Sequence, residues 1–145
     1  MKKNSLKKVS SKKAFTIIEL MVVITIIGIL ASLVAPKFMG KLETAKVKTT
    51  KAQLAMFSTS LDSFNLDTGR YPNDSEGLKV LWIKTKDIRG YDGPYLPKPV
   101  EADAWGNPYI YKVTSDDHAF DIISYGKDGK EGGDEKNADI SIWDN

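Results

Sequence analysis

The sequence contains no cysteine and only one histidine among its 145 residues. Without cysteine, the chain can form neither a disulfide framework nor a thiolate-bound metal site. It also lacks a G-x-S-x-G nucleophile elbow, a Walker loop and a G-x-G-x-x-G fingerprint. The lone His118 follows Asp116 and Asp117 in a predicted turn, where a histidine is most often simply solvated. Because the paired acids lie in a glycine-rich loop rather than on two rigid walls, we predict no catalytic carboxylate dyad and no enzyme.

The distribution of charge argues against a nucleic-acid partner. The net charge of +2 depends on a cluster of lysines in the first fourteen residues, which contain no acid. Of the 21 basic residues, six lie in this cluster, so 15 remain against 19 acids in the rest of the chain, where the two signs are interspersed. A phosphate-binding surface needs basic residues clustered on the folded part, so no nucleic-acid partner is predicted. The clustered lysines are Lys2, Lys3, Lys7, Lys8, Lys12 and Lys13.

A long apolar run follows these lysines. It reads FTIIELMVVITIIGILASLV from Phe15 to Val34, 20 residues with one charge, Glu19. As a helix it would be about 30 Å long, enough to cross the hydrocarbon core of a bilayer. Because the lysines all precede it, the positive-inside rule puts the N-terminus in the cytoplasm and the rest of the chain outside.

Three interpretations of this run compete. A cleaved secretory signal fits poorly, because the run is long and a cut after Ala35 would leave Leu33 upstream and Pro36 directly downstream. A plain signal anchor explains everything except Glu19, since an intramembrane carboxylate is costly and normally functional. The third interpretation is a cut between Ala14 and Phe15, which creates an α-amino group about one helical turn from Glu19. That amine in a neighbouring chain would pair with the carboxylate and hold packed helices in register.

The stretch KKAFTIIELMVVITIIGILASLVAP closely resembles the prepilin signal of type IV pilins and type II secretion pseudopilins. The resemblance implies that a prepilin peptidase removes residues 1–14 as a leader, that the new amine of Phe15 is methylated, and that Glu19 sets the register of assembly. It implies a transmembrane and assembly helix at 15–36 and a periplasmic domain at 37–145. Ala14 departs from the glycine usual in this family, and we expect cleavage to persist with alanine there.

Beyond the apolar run, the pattern predicts a small mixed domain. Apolar residues at three- and four-residue steps predict a continuing helix from residue 37 to about 66 whose stripe is core, and Gly69 and Pro72 predict its end. Ser75 is predicted to cap a short helix through SEGLKVLW. NPYIYKV and HAFDIIS, separated by TSDD, predict two antiparallel strands. The stripe consists of Leu54, Phe57, Leu61 and Phe64, and the tryptophans expected to fill the core are Trp82, Trp105 and Trp143.

The segments GRYP, DAWGNPYIY, FDIISYGKDGKEGG and ADISIW, in this order, resemble the major pseudopilin family of type II secretion. The resemblance implies an α+β, type IV pilin-like fold: a long N-terminal helix, membrane-spanning in its first half, packed on a small antiparallel sheet with a C-terminal calcium-binding loop. It implies a single-pass inner-membrane protein of bacteria that assembles into a helical periplasmic pseudopilus driving export of folded proteins across the outer membrane. Implied partners are other copies of the chain, minor pseudopilins, the inner-membrane assembly platform and the prepilin peptidase.

Two alternatives remain open at the level of sequence. One is a type IV pilin for adhesion or motility, although such pilins more often carry a cysteine pair near the C-terminus. The other is a membrane-anchored calcium-binding module that never polymerises.

The last twenty residues contain a glycine-rich acidic loop. From composition alone it reads as a solvated, flexible loop, and its spacing is not that of an EF-hand. Calcium nevertheless takes six to eight oxygens from carboxylates and carbonyls, and Asp128, Asp134, Asp139 and the Asn137 amide can supply some of them. The resemblance implies a structural calcium ion here, with the Asp128 and Asp139 carboxylates as the favoured ligands. Further ligands expected from it are the main-chain carbonyls of Tyr125 and Lys130, followed by Asp134 and Asn137.

Overall fold

The computed structural model describes residues 15–144, which form one long helix and a three-stranded sheet. The long helix is followed by a short 3₁₀ helix, two strands, a second 3₁₀ helix and a third strand. The three strands are antiparallel and lie side by side in chain order. The predicted long N-terminal helix and small antiparallel sheet are therefore confirmed. The elements are α1 Ile17–Thr68, a 3₁₀ helix Gly77–Leu81, β1 Ile110–Val113, β2 Phe120–Ser124, a 3₁₀ helix Glu135–Asn137 and β3 Ile140–Ser141.

The chain divides into two compact units, with the boundary between Gly40 and Lys41. In the first unit, the described residues contain the apolar run, and every one of them is exposed. The second unit holds all the buried residues of the described chain. The functional boundaries predicted at residues 14 and 36 concern cleavage and the membrane and stay predictions.

The core of the second unit is built on one face of α1. The predicted stripe is buried, with Phe57, Leu61 and Phe64 each 0% exposed. The ring of Phe57 meets that of Tyr109 edge-to-face at 5.1 Å between centroids. Phe64 meets Tyr95 in the same way at 5.9 Å. The other buried apolar residues are Leu54, Leu78, Val80, Leu81, Leu96, Phe120, Ile122 and Ile140.

The end of α1 and the turn after it follow from local hydrogen bonds. Gly69 has a φ of 75° and donates its N–H to the Asn65 carbonyl at 2.8 Å, so it ends the helix in the way that glycine allows. The predicted capping role of Ser75 is wrong. Its hydroxyl donates to the Asn73 side chain at 2.5 Å, and that same amide oxygen accepts the N–H of Glu76. Asn73 and Glu76 instead cap this turn reciprocally, because Glu76 Oε2 accepts the Asn73 N–H at 2.8 Å.

The sheet confirms the predicted hairpin and adds a strand that the sequence did not predict. Ile110 pairs with Ile123 and Val113 with Phe120. β3 is only two residues long, and its Ile140 pairs with Ser124 after the intervening loop.

The three tryptophans differ in their environment. Trp82 and Trp105 are partly buried and pack against the core, as predicted. Trp143 does not fill the core, because it is 39% exposed and its ring stacks on His118 at 3.7 Å between centroids. Its indole N–H donates to the Phe120 carbonyl at 2.9 Å, which holds the ring at the surface beside the sheet. His118 is exposed, as expected, but it has this aromatic neighbour.

Replacing Phe57 with alanine should lower the free energy of unfolding of the second unit by about 3–5 kcal/mol, because it removes a fully buried aromatic ring and leaves a cavity. The measurement is denaturant unfolding of the full chain in mild detergent, followed by the fluorescence of the tryptophans, all of which lie in that unit. Leu66, which is 85% exposed on the same helix, provides the control. Leu66→Ala should change stability by no more than about 0.5 kcal/mol. Equal effects of the two substitutions would contradict the assigned buried face.

The tyrosines of the second unit predict a loss of stability at high pH. Burial raises the pKa of Tyr91, Tyr109 and Tyr111. Burial and a 2.8 Å hydrogen bond to Asp67 raise the pKa of Tyr95 to about 12. In the unfolded chain tyrosine ionises near pH 10, so from about pH 10 to 12 the folded chain retains protons that the unfolded chain releases. This contribution is fully present below about pH 10 and falls as the pH rises through the window. Melting temperatures should decline over it, with a shallower decline in Tyr95→Phe, whereas a flat profile to pH 11 would refute the prediction.

Candidate functional sites at the N-terminal helix and the C-terminal loop

The N-terminal helix begins at a side-chain cap. The Thr16 hydroxyl accepts the backbone N–H of Glu19 at 3.2 Å, and the Thr16 carbonyl accepts the N–H of Leu20 at 3.1 Å. Thr16 is thus the N-cap of α1 and Glu19 its third helical residue, where a carboxylate favours the positive end of the helix dipole. Sequence reasoning overlooked Thr16, although T-x-x-E before an apolar run is a known signal of a helix start. Within residues 15–144 the Glu19 carboxylate forms no ion pair.

From Ile17 to Val34 this helix exposes mainly apolar side chains, with Glu19 as the one charged residue. Ile17 is 81% exposed, Leu33 68% and Val34 64%. By length and composition the helix is able to cross a membrane, with a mean hydropathy of 2.7 in its most apolar window and none of that window buried within the chain. A continuous exposed apolar surface of this size requires a lipid or protein environment. Phe15 precedes the helix and is 76% exposed. Ala14, the residue before the predicted cut, lies outside the described residues.

Glycines shape the C-terminal loop, which runs from the end of β2 to β3. Gly126, Gly129, Gly132 and Gly133 all have positive φ, between 61° and 94°. A Cβ on Gly126 would lie 2.9 Å from the Ala138 carbonyl oxygen. A Cβ on Gly133 would likewise collide with the Asn137 carbonyl. The loop is therefore folded back on itself, with its outgoing and returning arms in backbone contact that only glycine permits.

Asp139 is the predicted ligand with the most informative surroundings. Its Oδ2 atom accepts the N–H of Gly132 at 2.8 Å, across the loop. Its Oδ1 atom is buried and has no hydrogen-bond partner within residues 15–144. A buried carboxylate oxygen without a partner is costly, and a cation or an ordered water normally satisfies it. This oxygen therefore fits a cation site.

The other predicted ligands occupy more local positions. Asp128 is exposed, and its Oδ1 atom accepts the N–H of Lys130 at 3.1 Å within its own turn. Asn137 donates its N–H to the Asp134 carbonyl at 2.9 Å, which closes the second 3₁₀ turn, and both side chains are exposed. Tyr125 is half-buried at the exit of β2. Across the described residues, no three acidic or histidine side chains converge in a way that could hold a metal ion. Asp128, Asp134 and Asp139 thus do not form one carboxylate cluster, and a cation site here would depend on backbone carbonyls.

A buried aspartate supports the start of this loop. Asp103 is 6% exposed, and its Oδ1 atom accepts the N–H groups of Trp105 and Asn107, each at 2.9 Å. Its Oδ2 atom accepts the Ser124 hydroxyl at 2.5 Å. The Asn107 side chain in turn donates to the Gly126 carbonyl at 2.7 Å. Sequence reasoning assigned no site role to Asp103 or Asn107. The D-x-x-G-N spacing is a local signal typical of an Asx turn, and it carries no information about partners that lie far along the chain.

A second contact joins this turn to α1 within the second unit. The Glu43 carboxylate accepts the Trp105 indole N–H at 3.2 Å and lies 3.7 Å from the Lys127 ammonium. The lysine side chain is 47% exposed, so solvent screens this pair and it contributes little by itself. The pair shows that Lys127, the residue before Asp128, lies next to α1.

Comparison with known proteins agrees with this architecture. Residues 37–143 match the family described as type II secretion system, protein G, and residues 9–35 match the prokaryotic N-terminal methylation motif. The type II secretion system core protein G of Pseudomonas aeruginosa is 39% identical, over 92% of this chain and 96% of that protein. That of Vibrio cholerae is 37% identical, over 95% and 96%. The crystal structure of the major pseudopilin of enterohaemorrhagic Escherichia coli is similar with a TM-score of 0.58 and 31% identity, over 72% of this chain and 92% of that one.

These matches decide between the alternatives that the sequence left open. They cover both the apolar N-terminus and the domain that follows it, and the relatives named here are pseudopilins rather than type IV pilins. The predicted resemblance is confirmed: the chain belongs to the type II secretion system protein G family, the structural major pseudopilins.

Proposed function

We propose that this pseudopilin is a membrane-stored subunit that polymerises through its N-terminal helix into the pseudopilus. The observation that carries the proposal is the exposed apolar part of α1 from Ile17 to Val34, with one carboxylate, Glu19, at the third helical position. Lipid covers such a surface before assembly, and neighbouring helices cover it afterwards. Identical heterologous contacts that do not close on themselves produce a filament rather than a ring. The family is structural, and we propose no catalytic role for this chain.

The proposed topology follows from charge and length. The clustered lysines keep the N-terminus in the cytoplasm, residues 15–36 span the bacterial inner membrane once, and residues 37–145 lie in the periplasm. A prepilin peptidase cuts between Ala14 and Phe15, and the new Phe15 amine is methylated. The match of residues 9–35 to the N-terminal methylation motif supports both steps. Further proposed partners are minor pseudopilins and the inner-membrane assembly platform, and the filament drives folded proteins across the outer membrane.

Glu19 has a proposed role in assembly. Its carboxylate forms no ion pair within residues 15–144, and an uncompensated charge in a low-dielectric environment is unfavourable. The amine of Phe15 in a neighbouring subunit would neutralise it. Such a pair also fixes one axial register between adjacent helices, because any other stagger leaves both charges unpaired.

Glu19→Gln should abolish or strongly slow filament formation, because it removes the charge while preserving the size of the side chain. Assembly is measured by chemical cross-linking in membranes and by electron microscopy of sheared filaments. Thr16→Ala is the matched control, since it weakens the start of the same helix by about 1 kcal/mol but leaves the carboxylate in place. Tryptophan fluorescence should report an unchanged second unit in both variants. If Glu19→Gln assembled as the parent does, the proposed charge pair would be excluded.

We also propose that the C-terminal loop binds a structural calcium ion. The buried Oδ1 atom of Asp139, unpartnered within residues 15–144, supports this, as does the closure of the loop, in which the Gly126 and Gly133 backbones lie against the Ala138 and Asn137 carbonyls. Asp128 and Asp139 would provide carboxylates, and Tyr125 and Lys130 their main-chain carbonyls, with Asp134 and Asn137 as further candidates. Calcium would supply positive charge that offsets carboxylate repulsion and fixes the two arms of the loop together.

Calcium should raise the melting temperature of the detergent-solubilised protein relative to chelator. If calcium is present at about 100 times its dissociation constant, binding adds about 2.7 kcal/mol, which corresponds to a shift of roughly 10 °C for a domain of this size. Asp139→Ala should abolish most of the difference. Asp116→Ala, which removes an exposed acid from the β1–β2 turn, should leave the difference intact. Superimposable melting curves of the parent in calcium and in chelator would refute the site.

A further inference from the structure

The Asn107 side chain contacts Gly126 and Gly129, the two glycines at the start of the C-terminal loop. Its Nδ2 atom donates to the Gly126 carbonyl at 2.7 Å. A Cβ on Gly129 would lie 2.8 Å from its Oδ1 atom and 3.1 Å from its Cγ atom, so the amide lies directly against the Gly129 backbone. Gly126 and Gly129 flank Lys127 and Asp128. One side chain from outside the loop therefore touches both ends of the turn that carries Asp128.

Asn107 is itself held independently of this loop. Its backbone N–H donates to the Asp103 carboxylate at 2.9 Å, and its carbonyl accepts the Asp103 N–H at 2.8 Å. The same carboxylate accepts the Ser124 hydroxyl, and the Ser124 oxygen accepts the N–H of Gly126 at 3.1 Å. Gly126 is thus bound on both sides, through its N–H by Ser124 and through its carbonyl by Asn107. These groups form a rigid base because Asp103 and Ser124 are buried.

We propose that Asn107 is a positioning residue for the calcium loop, and that it holds the Gly126–Gly129 turn in place before the ion binds. The proposal rests on the calcium site proposed above. A loop that is already ordered loses less conformational entropy when it takes up a ligand, and therefore binds more tightly. Residues that orient ligands from behind typically change metal affinity by about 10–100-fold when replaced.

An asparagine suits this position because its amide group can donate a hydrogen bond. The Gly126 carbonyl requires a donor, which an aspartate would not provide at neutral pH. Serine has a donor but a shorter side chain. Alanine removes the side-chain hydrogen bond and keeps the two hydrogen bonds that the backbone of residue 107 forms with Asp103, so Asn107→Ala should still fold.

The test compares the parent and Asn107→Ala as full-length proteins in detergent. Calcium affinity is measured by titration calorimetry, and amide hydrogen exchange of residues 126–139 is measured in chelator. We expect Asn107→Ala to bind calcium about 10–100-fold more weakly and to exchange faster in this segment even without calcium. Asn73→Ala is the matched control, because the Asn73 amide also closes a turn, with bonds to Ser75 and Glu76, but lies outside the loop. It should lower stability without changing calcium affinity.

A second variant keeps the test decisive if Asn107→Ala does not fold. Asn107→Leu keeps a side chain of similar size but has no donor for the Gly126 carbonyl, and should weaken calcium binding in the same way. Calcium affinity within twofold of the parent in Asn107→Ala, together with unchanged exchange, would overturn the role of Asn107 and leave the calcium site intact. Absence of calcium binding by the parent would instead overturn the calcium site itself, and with it the proposed role of Asn107.

Discussion

The buried face of α1 between Leu54 and Phe64 is the constraint on which the second unit depends. A chain of this size without disulfides needs one continuous core, and here a single helical stripe supplies its base. The sheet, the 3₁₀ helix Gly77–Leu81 and Leu96 in the segment after that helix contribute the remaining buried apolar residues. Since tyrosines line this core, their hydroxyl groups must find partners at its edge. Tyr109 donates to Gln53 at 2.6 Å and Tyr111 to the Pro72 carbonyl at 2.7 Å.

The buried Asp103 carboxylate organises a second group of contacts in the same unit. It binds the turn that contains Asn107 and the end of β2 through Ser124, so two segments far apart in the chain share one acceptor. Removing one partner from such a buried network leaves a charged group unsatisfied, which is why these networks specify one conformation. The C-terminal loop begins at this network, so the hydrogen bonds to Gly126 fix the position of its first turn.

The sequence predicted those parts of the fold that local periodicity determines. The stripe on α1, the end of the helix at Gly69 and the β1–β2 hairpin each follow from residues within a few positions of one another. β3 was not predicted, because two residues carry no periodic signal and their pairing depends on closure of the loop. Ser75 was wrongly predicted as a cap because Asn73, two residues earlier, forms the capping bonds with Glu76 and also accepts the Ser75 hydroxyl.

The candidate sites also differ in whether a local sequence signal could predict them. The exposed apolar helix and Glu19 could be identified from sequence, since a single charge in a long apolar run is a local signal. The contacts of Asp139 with Gly132 and of Asn107 with Gly126 could not, because they join residues that lie 7 and 19 positions apart through irregular backbone. The resemblance to the family supplied the expected ligands of the loop. The observation that supports the proposed cation, a buried oxygen of Asp139 without a hydrogen-bond partner within residues 15–144, became visible only in the fold.

Thr16 sharpens the role of Glu19 at the opposite end of the chain. In a capping box, a glutamate at the third helical position returns to the backbone N–H of the cap residue and satisfies it. Here the hydroxyl of Thr16 satisfies the backbone N–H of Glu19, so the start of the helix has one of its free donors bound within the chain. This bond places no demand on the Glu19 carboxylate, whose charge is unpaired within residues 15–144. An unpaired carboxylate near the start of the apolar part of α1 supports the proposal that the amine of another subunit pairs with it and sets the register of assembly.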